Sequence, residues 1–131
     1  MRLLLDTHIW VWSLDEPGRL SVRVAEALGS SENEVWLSPI SVWEVLLLAQ
    51  KGRLVLEPEP YQWIRRALGA SAPREAALNY HVAIRSREIR LDLEDPADRF
   101  LVATAELYQL TLVTEDERLL DASGWEVLSN Q

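Results

Sequence analysis

Residues 2–12 read RLLLDTHIWVW, and the change of pattern inside this stretch decides the fold class. Arg2 to Leu5 is a short apolar run ended by Asp6, and Thr7 to Leu14 carries a helical pattern, so the chain opens as strand, acid, helix. Working outward, Glu34 to Leu37 and Thr111 to Val113 are β-branched or aromatic segments bounded by turn residues, and Glu126 to Leu128 is a last apolar piece suited to an edge strand. Between them the spacing predicts helices at Ser21 to Leu28 with Ser21 as N-cap, at Ser41 to Gln50 closed by Gly52, at Tyr61 to Leu68, at Asn79 to Arg87 and at Pro96 to Tyr108. The start of the last is marked by Asp95 as cap, Pro96 at the first position and Asp98 in the first turn. Short strands alternating with helices predict an α/β fold, a three-layer sandwich with a mainly parallel central sheet flanked by helices. The region of Pro58 and Pro60 reads as a loop within it, and no repeat or linker divides the chain.

The 131 residues suit one domain, residues 1–131. The absence of cysteine excludes disulfides and thiolate metal sites, so any metal would be held by oxygen or imidazole. The longest apolar run, Val45 to Ala49, is far short of the roughly 20 residues of a membrane span, and the N-terminus lacks an export signal pattern. A cytoplasmic protein is expected. With 21 acidic against 13 basic residues the net charge is −8, the wrong sign for broad phosphate neutralisation, so a nucleic-acid function needs cations or local arginines. Lys51 is the sole lysine, which makes a lysine nucleophile a poor expectation. The six tryptophans are read as core and interface packing rather than as base-stacking platforms.

The chemistry is carried by acids. In open α/β sheets ligands bind beyond the carboxyl ends of the strands, and Asp6 ends an apolar strand, although it would serve equally as an N-cap. Glu44 is the lone charge between Ser38 and Gln50, and Ile40, Trp43, Leu47 and Leu48 share its face, so it is expected to be buried and to need a cation, a hydrogen-bond network or a cleft. Asp98 shares a helical face with Leu101, Val102 and Ala105 and should point inward. Thr114-Glu115-Asp116-Glu117 follows a strand end, and the residues alone leave Glu115, Asp116 and Glu117 equivalent. Converging carboxylates repel one another unless hard cations neutralise them, so Mg2+ or Mn2+ is the expected cofactor and phosphodiester hydrolysis by a metal-activated water the expected chemistry. His8 is expected near the mouth of the site and His81 on a helix surface. No glycine-rich phosphate loop or nucleophile elbow is present.

LLLDTHIWVW (3–12), SVWEV (41–45), DPADRFLVATA (95–105) and LVTEDERLL (112–120), in this order, resemble the PIN-domain family, most closely its small VapC-type toxin ribonucleases. The resemblance implies that Asp6, Glu44, Asp98 and Asp116 are the metal-binding acids, choosing Asp116 from its neighbours, and that Thr114 orients a ligand from the second shell, with Asp95 beside it. It also implies an RNA substrate, a cognate VapB-like antitoxin that covers the acidic cleft, and a homodimer. Relatives often carry a histidine-arginine pair and then Asp-Pro-Phe-Asp-Arg. Here the stretch is Leu93-Glu94-Asp95-Pro96-Ala97-Asp98-Arg99, a departure that bears on substrate preference rather than on metal binding.

The sequence therefore predicts a metal-dependent endoribonuclease, the toxin of a type II toxin–antitoxin system, with Arg99 balancing phosphate charge. Arg65, Arg66, Arg85, Arg87 and Arg90 are further phosphate candidates, or simply solvated helix faces. The competing readings are a non-catalytic PIN scaffold that binds protein or RNA and a metal-dependent phosphatase.

Overall fold

The computed structural model describes residues 1–90, 92–120 and 124–131. Its centre is a five-stranded sheet of β1 (Arg2–Leu5), β2 (Glu34–Leu37), β3 (Arg74–Glu75), β4 (Thr111–Thr114) and β5 (Glu126–Ser129), ordered β3-β2-β1-β4-β5. Every pairing is parallel, with Leu4 opposite Trp36 on one side and Leu112 on the other. The order reverses at β1, so the crevice beyond the carboxyl ends of β1 and β4 is the topological switch point of the sheet.

Leu3-Leu4-Leu5 works as a central strand because both of its faces are covered. Leu3, Leu5 and Val113 pack into one core with Ile9, Trp10, Val24, Val45 and Trp63. Leu4 and Leu112 belong to a second core with Val82, Leu101, Val102 and Leu119. The two cores are the two interfaces of a three-layer sandwich. The first is built with α1 (Thr7–Asp15), α2 (Val22–Gly29), α3 (Pro39–Gln50) and α4 (Pro60–Ser71). The second is built with α5 (Tyr80–Glu88), α6 (Pro96–Tyr108) and α7 (Glu117–Leu120). Among the described residues no helix is long and apolar enough to cross a membrane.

Helix starts follow local side-chain chemistry. Asp6, Ser21, Ser38, Glu59, Asn79 and Asp95 each accept a backbone N–H of the helix they precede, and proline occupies the first turn of α3, α4 and α6. Capped by Ser38, α3 begins at Pro39, two residues ahead of the predicted Ser41, and Pro60 opens α4 instead of lying in a loop. Three elements among the described residues lie outside the sequence reading, one of them the 3-10 turn Pro17–Arg19. β3 is a two-residue edge strand with both side chains exposed, and α7 is a single turn inside a run of charges.

Candidate active site

A cleft of about 400 Å³ opens at the switch point, lined by Asp6, Glu44, Asp95, Asp98, Glu115 and Asp116 together with His8, Ile9, Trp12 and Arg118. The four acids singled out in the sequence thus meet in one cleft although they come from four separate parts of the chain. Asp6 hangs from the end of β1, Glu44 from the middle of α3, Asp98 from the first turn of α6, and Asp116 from the segment after β4.

Asp6 serves as both cap and site residue. Its Oδ1 accepts the Thr7 N–H at 2.7 Å, and its Oδ2 accepts the Thr114 hydroxyl at 2.7 Å. Thr114 Oγ in turn accepts the Asp116 N–H at 3.1 Å, so one buried hydroxyl ties the two strand-end acids together. Burial pushes the Asp6 carboxyl above its ordinary pKa against those hydrogen bonds, with Asp116 adding repulsion. Glu44 is also raised, chiefly by burial, with Asp6 and Asp95 pushing the same way and a hydrogen bond from Thr7 opposing. The Thr7 hydroxyl also lies 3.1 Å from the Ser41 hydroxyl, tying α1 to α3 beside Glu44.

The α3 face is less enclosed than predicted: Glu44 is half-buried and Trp43 is 53% exposed. The face is closed on one side by the core and open to the cleft on the other, so Glu44 meets solvent through the cleft. Trp43 also departs from the packing role predicted for the tryptophans, a role that Trp10, Trp12 and Trp63 fill in the core.

Asp98 points inward as predicted and is 8% exposed. Its pKa rises to about 7, first through burial and then through Asp95 and Asp6, with Arg118 opposing. Asp95 caps α6 by accepting the Ala97 N–H at 3.0 Å and keeps its carboxylate at the cleft. Asp116 behaves differently, because the hydrogen bond from Arg118 holds its carboxyl below the usual range. Glu115, at the far side, accepts the Asn130 amide at 3.1 Å.

Arg99 corrects the sequence reading. It is 7% exposed and does not line the cleft. Its Nε donates to the Ser86 carbonyl at 2.7 Å, Nη1 to the Leu93 carbonyl at 2.9 Å, and Nη2 to the Ile89 carbonyl. The next residue along a helix points about 100° away, so the turn that aims Asp98 at the cleft aims Arg99 at the end of α5. Arg85 is likewise engaged, bridging Glu106 from Nε at 3.0 Å and Nη2 at 3.2 Å.

The residue that sequence reasoning missed is Arg118. Its Nη2 lies 2.6 Å from Asp116 Oδ2 and 3.2 Å from Asp98 Oδ2, and its Nε lies 3.0 Å from Asp116 Oδ1. Among the residues lining the cleft it is the one arginine or lysine, set against six carboxylates. Its position two residues after Asp116 within Glu-Asp-Glu-Arg resembled any solvated charge run. His8 lies at the mouth as predicted, exposed and 5.6 Å from the Trp12 ring centre, and His81 is on a helix surface.

The donor set is all oxygen and crowded with like charge, which suits a hard divalent cation. Among the described residues, however, no three acids or histidines are drawn together closely enough to hold an ion as they stand. Asp98 and Asp116 both lean on Arg118 instead.

Comparison with known proteins finds a match to the PIN domain over residues 3–124. The chain is 32% identical over 118 residues to Ribonuclease VapC22 of Mycobacterium tuberculosis, a match covering 89% of this chain and 88% of that one. Among solved structures it resembles a chain of the DNA-bound VapBC complex of Salmonella typhimurium, with a TM-score of 0.71 and 18% identity over 100% of this chain and 99% of that one. It also resembles a chain of FitAcB from Neisseria gonorrhoeae, with a TM-score of 0.69 and 25% identity over 98% and 97% of the two chains.

Proposed function

This chain belongs to the PIN domain family, and from that premise we propose that it is a divalent-metal-dependent endoribonuclease, the toxin of a type II toxin–antitoxin pair. The observation that carries the reading is the meeting of Asp6, Glu44, Asp98 and Asp116 at the switch point of the sheet. Asp6, Glu44, Asp98 and Asp116 would hold Mg2+ or Mn2+. The metal, when bound, would polarise a phosphoryl oxygen and make a water more acidic.

The remaining roles belong to the chain. Thr114 orients Asp6 through its hydroxyl and fixes the backbone of Asp116. Asp95 holds the first turn of α6, which keeps Asp98 aimed at the cleft. The raised pKa values of Asp6, Glu44 and Asp98 come first from burial and then from neighbouring carboxylates, and a divalent ion would favour their charged forms. The phosphate contact expected of Arg99 passes to Arg118, whose guanidinium reaches into the cleft and whose side chain is 61% exposed. A negative chain of this kind cannot draw RNA by its overall field, so local cations must position the substrate.

The relative named Ribonuclease VapC22 and the neighbours drawn from VapBC complexes support a VapB-like antitoxin partner, and a homodimeric state and a cytoplasmic setting are part of the same proposal. Incubation of the purified protein with transfer RNA and with small phosphoesters, with and without Mg2+, tests the reading. Cleavage of RNA that needs Mg2+ and disappears in Asp6→Asn supports it. Turnover of small phosphoesters alone supports a phosphatase instead, and Mg2+-independent cleavage or no cleavage of any RNA overturns the assignment.

A further inference from the structure

Arg118 shares its carboxylate oxygens with the proposed metal. Its guanidinium engages both oxygens of Asp116 and one oxygen of Asp98 at 2.6 to 3.2 Å. A divalent ion ligated by Asp116 would require an oxygen that the guanidinium already engages, at roughly 2.0–2.6 Å, whereas Asp98 keeps Oδ1 outside the three contacts. At Asp116, where both oxygens are engaged, a guanidinium and a divalent ion compete for the same lone pairs, and their charges repel at contact distance. Two of the four acids are turned toward the guanidinium.

The surroundings of Arg118 suit a side chain that comes and goes. It stands on α7, a helix of four residues, with a side chain 61% exposed, whereas Asp98 beneath it is nearly enclosed. The pair with Asp116 is a part-exposed ion pair whose loss sacrifices little stability, and the contact with the enclosed Asp98 is the one an incoming cation would replace. Withdrawing Arg99 would strip several buried carbonyls of their donor. The two arginines of this region are thus opposites, one fixed and one displaceable.

We propose that Arg118 is a built-in competitor of the catalytic metal: its guanidinium occupies both oxygens of Asp116 and one of Asp98 and must be displaced before a divalent ion can be ligated by Asp116. This rests on the metal-dependent reading above. The competition raises the metal concentration the site needs, and it releases a guanidinium beside the cleft at the moment the metal enters.

Calorimetric titration of MnCl2 into the full chain tests the proposal, with Arg118→Ala, Arg118→Lys and the neighbouring Glu117→Ala compared with the wild type. Arg118→Ala should lower the Kd for Mn2+ about tenfold and enlarge the rise in Tm that Mn2+ produces. Arg118→Lys should fall between, because a single ammonium cannot span two carboxylates as a planar fork does, and Glu117→Ala should match the wild type. Should Arg118→Ala fold poorly by circular dichroism, Arg118→Gln, which keeps most of the stem, takes its place. Equal affinity for wild type and Arg118→Ala, or weaker binding by the variant, overturns the competition while leaving the metal-dependent reading intact. No Mn2+ binding by either protein overturns both.

Discussion

The Thr114 hydroxyl donates to Asp6 Oδ2 at 2.7 Å, joining the last residue of β4 to the first residue beyond β1. Thr114 is fully buried, and the same oxygen accepts the Asp116 N–H, so its loss would unfasten two acids at once. Thr114→Val keeps the shape and removes the hydroxyl. It should lower RNA cleavage about 10-fold to 100-fold, the usual cost of removing a ligand's orienting partner. It should also destabilise the fold by about 1–2 kcal/mol, through the unsatisfied Asp116 amide. Thr114→Ser, which retains the oxygen, should recover most of the activity. Cleavage rates and urea midpoints for the pair check this, and a fully active valine variant would remove Thr114 from the site.

Asp98 makes stability depend on pH in a direction opposite to an ordinary ion-paired carboxylate. Its folded pKa of about 7 lies above the ordinary 3.8, so between those values the folded chain holds a proton that the unfolded chain has released. The stability Asp98 contributes is therefore full below about pH 4 and is lost as pH rises through 7. Asp98→Asn removes that loss. In chelator at pH 8 it should be more stable than the wild type by about 1–2 kcal/mol after screening by the open side of the cleft. The difference should shrink toward pH 4. Thermal melts across this range in EDTA decide it, and a lower Tm for Asp98→Asn at pH 8 would mean that the carboxylate is better compensated by Arg118 than its surroundings indicate.

Glu44 offers a sharper separation of charge from packing. Burial and the nearby Asp6 and Asp95 raise its pKa, and it is half-exposed to the cleft. Glu44→Gln keeps the volume and the hydrogen bond to Thr7 while deleting the charge. It should leave the circular dichroism spectrum unchanged and weaken Mn2+ binding about tenfold or more, since one anionic ligand is lost. Calorimetry reads this directly, and unchanged affinity would take Glu44 out of the ligand set.

What was legible in the sequence is what periodicity controls. Leu3-Leu4-Leu5 reads as a strand, and its lack of polar alternation fits the central place it takes, covered on both faces. The inward aim of Asp98 followed from Leu101, Val102 and Ala105 at helical spacing. β3 left no such mark, because its two side chains are exposed at the sheet edge and the backbone alone pairs with β2. The openness of the α3 face was hidden for a related reason: apolar residues around Glu44 can line a cleft as well as fill a core, and the pattern is the same. Arg118 was invisible because its partners are set by where β4 and α6 end in space. Its contact with Asp98 spans 20 residues of chain. The placement of Arg118 in the cleft and of Arg99 outside it is thus a tertiary property that no local spacing encodes.

That placement is testable through Arg99. Its guanidinium donates to the carbonyls of Ser86, Ile89 and Leu93, the groups left open where α5 ends and the chain turns toward α6. Arg99→Met fills much of the volume but leaves buried carbonyls unsatisfied, and each such group costs about 1–3 kcal/mol. The variant should lose about 3 kcal/mol or more, read as a lower urea midpoint with an unchanged m-value. Arg99→Lys should lose less, because one ammonium can reach some but not all of the carbonyls. Among molecules that remain folded, Arg99→Lys should bind RNA with the wild-type affinity and the wild-type dependence on salt. A direct phosphate contact would instead reduce the slope of log affinity against log salt by about 0.7 on a single strand. A stable Arg99→Lys protein with that reduced slope would return Arg99 to the substrate and leave the clamp on α5 without consequence.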